Sequence, residues 1–247
     1  SFEEAERTCD LVQQEALKTF VIIGGGPTGV ELAGTIAELA RDTLARDFRN
    51  MEPSKSRVVL IEAAPRLLSV FPEKLSEYTR KALEKLGVEV ITGMPVTECS
   101  GEGVVYDGKQ IKANTIVWAA GVKASPAAQW LGVEADRAGR VIVDQHLNIT
   151  DHLDIFVIGD TAAATMEDGK LVPGIAPAAK QEGKYVAKLI MKRLKGKEDN
   201  PPFKYSHQGN LATIGHSLAV VDFGWIRLKG LFAWWIWKLV HFYFLIG

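Results

Sequence analysis

Between residues 18 and 92 the chain switches repeatedly between unbroken apolar runs and amphipathic stretches. Phe20-Val21-Ile22-Ile23 and Val58-Val59-Leu60-Ile61 are apolar at successive positions, the pattern of strands buried on both faces, over 18–23 and 57–62. A helix is expected from Pro27, whose missing N–H breaks no bond in a first turn, and its pattern runs past Leu44. A polar segment, Arg49 to Ser56, leads to the second strand. Glu73 to Leu86 carries Leu75, Tyr78, Leu83 and Leu86 as the apolar positions of an amphipathic helix and is capped by Gly87. Val88-Glu89-Val90-Ile91 gives a third, short strand. The order βαβαβ over 18–92 predicts a parallel sheet with right-handed crossovers.

The texture then changes. Val96 to Ala113 alternates, with turns at Gly101-Glu102-Gly103 and Tyr106-Asp107-Gly108-Lys109, and reads as an antiparallel meander. Thr115 to Ala119 is apolar again and returns to the parallel sheet. Beyond Gly121 the pattern gives a short helix near 126–131, strands near Val141 and Phe156, and a helix near 176–195 that Asn200-Pro201-Pro202 breaks. Residues 1–17 read as a polar helix with Phe2, Ala5, Cys9 and Val12 on an apolar stripe. The fold class expected is α/β.

Composition narrows the function classes. The 247 residues carry 29 basic and 30 acidic side chains, a formal charge of −1, so no bulk field draws nucleic acid. A hydrophobic content of 47% with 23 glycines suits an α/β enzyme rather than a disordered chain. Cys9 and Cys99 lack CxxC spacing, which leaves neither a redox-active pair nor a zinc site, and no metal is expected. His207 and His216 read as ordinary polar contacts. Ser1 to Asp10 is acidic and lacks the apolar core of a signal peptide, so a reducing, cytoplasmic setting is expected.

The sharpest chemical feature is Gly24-Gly25-Gly26-Pro27-Thr28-Gly29, placed directly between the first strand and the first helix. Gly24, Gly26 and Gly29 stand in GxGxxG register. The first permits a tight turn, the second leaves no Cβ where a pyrophosphate approaches, and the third lets helix and strand pack closely. Glu62 ends the next strand, where a carboxylate accepts both ribose hydroxyls of an adenosine and repels a 2′-phosphate, which favours NADH; the alternative is an exposed strand-end acid. The spacing exceeds the usual ~20 residues, so the strand end is the criterion. Arg66 is close enough to serve a 2′-phosphate instead. Glu31, placed in the first helical turn, either stabilises the helix dipole or meets the nicotinamide. The strand within 150–160 ends in Gly159-Asp160, where a carboxylate beside a glycine can hold a ribitol hydroxyl, the alternative being an N-capping Asp.

Five segments then stand in a telling order: GGGPTGVELAG, IEAAPRLL, TIVWAAGV, TDHLDIFVIGDTAA and VPGIAPAAKQEG. Together they resemble the FAD- and NAD-dependent oxidoreductases of the disulfide-reductase superfamily. With an aromatic tail and no active cysteine pair, the chain is similar to the non-proton-pumping type II NADH:quinone oxidoreductases. The resemblance implies two Rossmann-like domains, the NADH domain inserted into the FAD domain. It implies that Gly24, Gly25, Gly26, Pro27, Thr28, Gly29, Glu31 and Glu62 bind NADH. It also implies that Gly159 and Asp160 touch the flavin and that Ala120 and Gly121 lie where the chain passes back toward FAD. Ala178-Ala179-Lys180-Gln181 matches an Ala-x-x-Gln segment, so Gln181 would present its amide to a quinone carbonyl with Glu182 beside it as a proton route. The alternative for Lys180, Gln181 and Glu182 is a solvated helix face. The implied organisation is a connecting helix (1–17), an NADH-binding domain (18–120), the C-terminal part of an FAD-binding domain (121–199) and a membrane-anchoring region (200–247). Such enzymes carry a further glycine turn for FAD upstream. Only one is present here, so the chain reads as an N-terminally truncated piece that is not expected to retain FAD by itself.

Gly230 to Gly247 is apolar and aromatic apart from Lys238 and His241, and is too short for the ~20 residues of a spanning helix. Trp225, Trp234, Trp235, Trp237 and Tyr243 are types that favour the headgroup region. An in-plane anchor at the cytoplasmic face of the membrane is expected, with a core helix or a homodimer interface as the alternatives. The implied activity is hydride transfer from NADH to FAD and two electrons onward to a membrane quinone, with no protein nucleophile. The rival readings are a soluble reductase serving a ferredoxin or a disulfide, and a redox-inactive NADH-binding membrane module.

Overall fold

The computed structural model describes residues 15–16, 18–44, 53–150, 152–197 and 201–246, with side chains to Phe242. The helix expected over 1–17 falls largely outside these residues, as do the first half of the segment 49–56 and Asn200. Two compact units are present. One holds the described residues up to Gly121 and the segment from Gly209 onward; the other runs from Val122 to Gln208.

The first unit is built on a four-stranded parallel sheet. Its strands are β1 (Thr19–Ile23), β2 (Arg57–Glu62), β3 (Val88–Thr92) and β7 (Thr115–Trp118), in the order β3-β2-β1-β7. The apolar runs are continuous because both faces are covered. Ile22, Val58 and Leu60 pack with Val30, Ala33 and Ala37 of α1 (Pro27–Glu38) and with Leu75 and Leu83 of α2 (Glu73–Lys85). The alternate residues Val21, Ile23, Val59 and Ile61 pack against Val104, Ile111 and Ala113 of the meander. That meander is β4 (Val96–Ser100), β5 (Gly103–Tyr106) and β6 (Lys109–Lys112), paired antiparallel as its turns predict. The α-helical part of α1 is shorter than expected. It ends at Glu38 and widens into a π turn over Leu39–Thr43.

The segment expected as a separate region from residue 200 joins this unit from Gly209 onward. It forms the antiparallel sheet β12 (Asn210–Ile214), β13 (Leu218–Asp222) and β14 (Arg227–Gly230), followed by a helix over Leu231–Ile246, the last helix of the chain. The physical reason is that both faces of β13 are apolar. Ala212, Ile214 and Val220 add to the core against α1, while Ala219 and Val221 cover Ala233, Trp234 and Trp237 of the last helix. A stripe of α1 receives this sheet. Glu31 accepts from Thr213 N at 3.1 Å, Gly34 lies against Gly215, and Glu38 accepts from His216 N at 2.6 Å, with His216 Nδ1 lying 2.9 Å from its other oxygen.

The second unit has its own core of Val141, Val143, Leu147, Ile149, Val157, Val172, Ala178 and Val186. Its elements are α3 (Ala127–Leu131), β8 (Val141–Ile142), β9 (Asn148–Ile149), β10 (His152–Phe156), β11 (Ala162–Ala163) and α4 (Ala176–Leu194). The chain-terminal helix is α5.

A Cβ built on Gly29 would overlap Gly24 O outright. Gly29→Ala is therefore expected to destabilise the protein by about 3 kcal/mol, read from the chemical denaturation midpoint.

Candidate functional site

Each glycine of the turn has a different surrounding. Gly24 adopts φ 112° and donates to Ile61 O at 2.8 Å; a Cβ on it would lie 2.5 Å from Ala119 O. Gly25 is pressed against Leu67 and Glu62, where a Cβ would sit 2.6 Å from Leu67 Cδ2. A Cβ on Gly26 would meet nothing within 4 Å, so the missing side chain there opens onto space rather than onto packed protein. Pro27 and Thr28 are exposed, and no side chain hydrogen bond caps the start of α1. Space above Gly26 thus adjoins an uncapped, positively polarised helix end whose amides are free to donate.

Glu62 ends β2 as expected and turns its carboxylate onto this turn. Oε2 accepts from Gly25 N and Oε1 accepts from Ala64 N at 2.6 Å. Each oxygen keeps acceptor capacity. Arg66 differs from the expectation of a cation waiting for a 2′-phosphate: its guanidinium is engaged with Ser69 O, Phe71 O and Ser76 Oγ.

Glu31 is corrected. Because α1 starts at Pro27, Glu31 is its fifth residue and lies past the first turn, so the helix dipole does not account for it. Its carboxylate instead holds Thr213 N of β12. Ala120 and Gly121 are exposed after β7, and Gly121 has φ 101°.

In the second unit Gly159 and Asp160 form a 3-10 turn two residues past β10. Gly159 adopts φ 66°, with the Cβ of Ala179 only 3.4 Å from where its own would be. Ala178 is buried in the first turn of α4. Asp160 is exposed, its carboxylate beside Gly174. Glu182 is not on a solvated face. It is 2% exposed and accepts from Gly159 N. Burial pushes its carboxyl above the ordinary value, the Asp160 charge adds to the rise, and the Gly159 amide opposes it. Gln181 does not stand free: Nε2 donates to Ser206 O at 3.0 Å and Oε1 accepts from Ser206 N at 2.9 Å. Among the described residues no cluster suits a metal ion.

The model of the pyridine nucleotide-disulphide oxidoreductase family matches residues 2–183. This chain belongs to that family. It is 42% identical, over its whole length, to the type II NADH:quinone oxidoreductase Ndh of Mycobacterium tuberculosis, of which the alignment covers 55%. It is 38% identical over 81% of its length to the type II NADH:quinone oxidoreductase of Haemophilus influenzae, covering 45% of that protein. The chain thus spans about half the length of these relatives. Its fold is similar to NDH2 from Plasmodium falciparum, solved in complex with NADH, with a TM-score of 0.85 at 19% identity, over 94% of this chain and 63% of that one. The fold is the α/β, Rossmann-like one of the family, with parallel and antiparallel sheets.

Sequence reasoning missed the partners that hold these groups. Thr213 lies in a strand whose alternation, Leu211-Ala212-Thr213-Ile214, was legible but masked by flanking glycines. Leu68 and Ser76, which brace the turn from outside, carry no sequence signal, because backbone bends at non-glycine residues leave none.

Glu182→Gln keeps an acceptor for Gly159 N and removes the titration. A carboxyl raised from 4.5 in the folded state gives stability that is lost as pH rises through its native value. The variant is therefore expected to melt at higher temperature than the wild type near neutral pH, with the difference vanishing below the unperturbed value, in thermal scans across that range.

Proposed function

We propose that the protein is a flavin-dependent type II NADH:quinone oxidoreductase, taking a hydride from NADH and delivering two electrons to a membrane quinone without pumping protons. The observation that carries this reading is the open space at Gly26, framed by the start of α1 and by Glu62. The names of the similar proteins support the choice of acceptor.

The residues act by binding and orientation. Amides of the first turn of α1 face the NADH diphosphate above Gly26. Glu62 offers its remaining lone pairs to the adenosine ribose hydroxyls, and its charge disfavours a 2′-phosphate. Glu31, fixed by Thr213, is set beside the nicotinamide end. FAD, when bound, supplies the two-electron carrier between donor and acceptor. The fit to FAD is uneven: the exposed carboxylate of Asp160 suits a ribitol hydroxyl, whereas the Gly159 N–H is already taken by Glu182. Gln181 keeps one Nε2–H for a quinone carbonyl after bonding Ser206. Glu182, whose burial favours the protonated form, is the group of this unit suited to hold a proton. On this reading residues 18–120 are the NADH-binding domain and 121–199 part of the FAD-binding domain.

The terminal helix supports attachment at a membrane surface. Leu231, Phe232, Trp235, Leu239 and Phe242 are exposed and, at 100° per residue, fall on one arc of the helix, while Ala233 and Trp237 face the sheet. Lys238 Nζ lies 3.9 Å from the centre of the Trp234 ring, at the edge of that arc. No described helix is long and apolar enough to cross a membrane.

Two measurements test these readings. Gly26→Ala places its methyl in open space at φ −72°, so the fold is expected to survive while NADH affinity falls at least about tenfold, measured by quenching of coenzyme fluorescence. Unchanged affinity would remove the cradle. The triple variant Phe232→Asp, Leu239→Asp, Phe242→Asp is expected to stop cosedimentation with phospholipid vesicles. Deleting the helix would be a poorer test, because Ala219 and Val221 would lose their cover. A triple variant that still cosediments would remove the arc as the membrane contact, and one that instead turns a dimer into a monomer would replace the membrane with a second copy.

A further inference from the structure

Arg66 follows the strand-end carboxylate at the place where a cation would meet a 2′-phosphate, yet its guanidinium turns onto its own loop. Nη1 donates to Phe71 O at 2.7 Å and to Ser76 Oγ at 3.2 Å, and Nη2 donates to Ser69 O at 2.8 Å. Ser76, 3% exposed, donates its own hydroxyl hydrogen bond to Leu68 O at 3.3 Å. Leu68 is bent into the left-handed region, at φ 48°, with its side chain buried in the core. That conformation is unfavourable for a residue with a Cβ and persists only where the surroundings enforce it. The bend aims the Leu68 N–H at Gly25 O, 2.8 Å away. Gly25 is therefore gripped on both sides, its N–H by Glu62 and its carbonyl by Leu68. Leu67, one residue before the bend, closes against Gly25 and leaves no slack.

We infer that Arg66 is a positioning residue. It buckles the 65–71 loop so that Leu68 holds the glycine turn in the shape that receives NADH, and by being engaged in this way it selects against NADPH. The planar fork of donors suits three acceptors, two on the loop and one on α2, which a lysine ammonium spans poorly. To reach a 2′-phosphate the guanidinium would have to release Ser69 O, Phe71 O and Ser76 Oγ, and the turn would lose its outer support. The inference rests on the coenzyme reading given above.

The test compares wild type, Arg66→Gln, Arg66→Lys and Ser76→Ala in the full-length protein. Amide hydrogen exchange is read without coenzyme, and dissociation constants are then measured for NADH and NADPH. The expected result is faster exchange at Leu68 in Arg66→Gln, with the β1 amides still protected, and NADH affinity about tenfold weaker. Ser76→Ala moves both readouts the same way by less, and Arg66→Lys rescues them only in part. Unchanged exchange at Leu68 overturns the buckle. So does a selective loss of NADPH affinity with NADH affinity intact, which would make Arg66 a phosphate ligand. Failure of the wild type to bind NADH overturns the coenzyme reading instead, and is distinguished because the exchange measurement needs no coenzyme.

Discussion

Two glycines set how near the first helix can come to the sheet, and the geometry around them governs what the site can be. Gly29, in the first turn of α1, lies so near Gly24 O that no side chain fits between helix and turn. This brings the start of α1 down onto the ends of β1 and β7, where Gly24 is itself hemmed in by Ala119. Only with the helix seated this deeply do its free amides and the gap at Gly26 face the same small volume.

Support comes from two directions. On the outer side, the end of β2 and the loop after it bond both peptide groups of Gly25, through Glu62 and Leu68. Along the helix, the stripe Glu31, Gly34 and Glu38 accepts the β12–β13 hairpin, with two carboxylates taking backbone amides and a bare glycine allowing the close pass between them. The acids a sequence reader marks first as ligands are thus already occupied in shaping the backbone. Glu182 repeats the pattern in the second unit, where a buried carboxylate holds the Gly159 turn from below. A carboxylate with four lone-pair positions can do both tasks at once.

Much of this was legible from residue order. The unbroken apolar runs of β1 and β2 announced strands buried on two faces, and the glycine register announced the turn between β1 and α1. The meander followed from its two glycine-bearing turns. The hairpin of residues 210–230 was not read, since its strands are short and set among glycines, and its partners lie some 180 residues away, as in the 182-residue separation of Thr213 and Glu31. Long-range pairing of that kind leaves no local periodicity. Glu62 ends β2 where the apolar run stops, whereas β10 ends at Phe156 and leaves Asp160 in a following 3-10 turn rather than at the strand end. The directions in which Arg66, Glu31 and Gln181 point were not legible, because side-chain direction is decided by which carbonyls and amides the folded chain brings near.

The sheet β12–β14 lies between α1 and α5, touching the first through Ala212 and Ile214 and the second through Ala219 and Val221. Helix α1 carries the turn at Gly26, and α5 carries the exposed aromatic arc. Since side chains at alternate positions of one strand reach opposite neighbours, β13 works as a stiff spacer a single layer thick. Whatever surface the aromatic arc rests upon, the tilt of the glycine turn relative to it is set by three short strands rather than by a hinge.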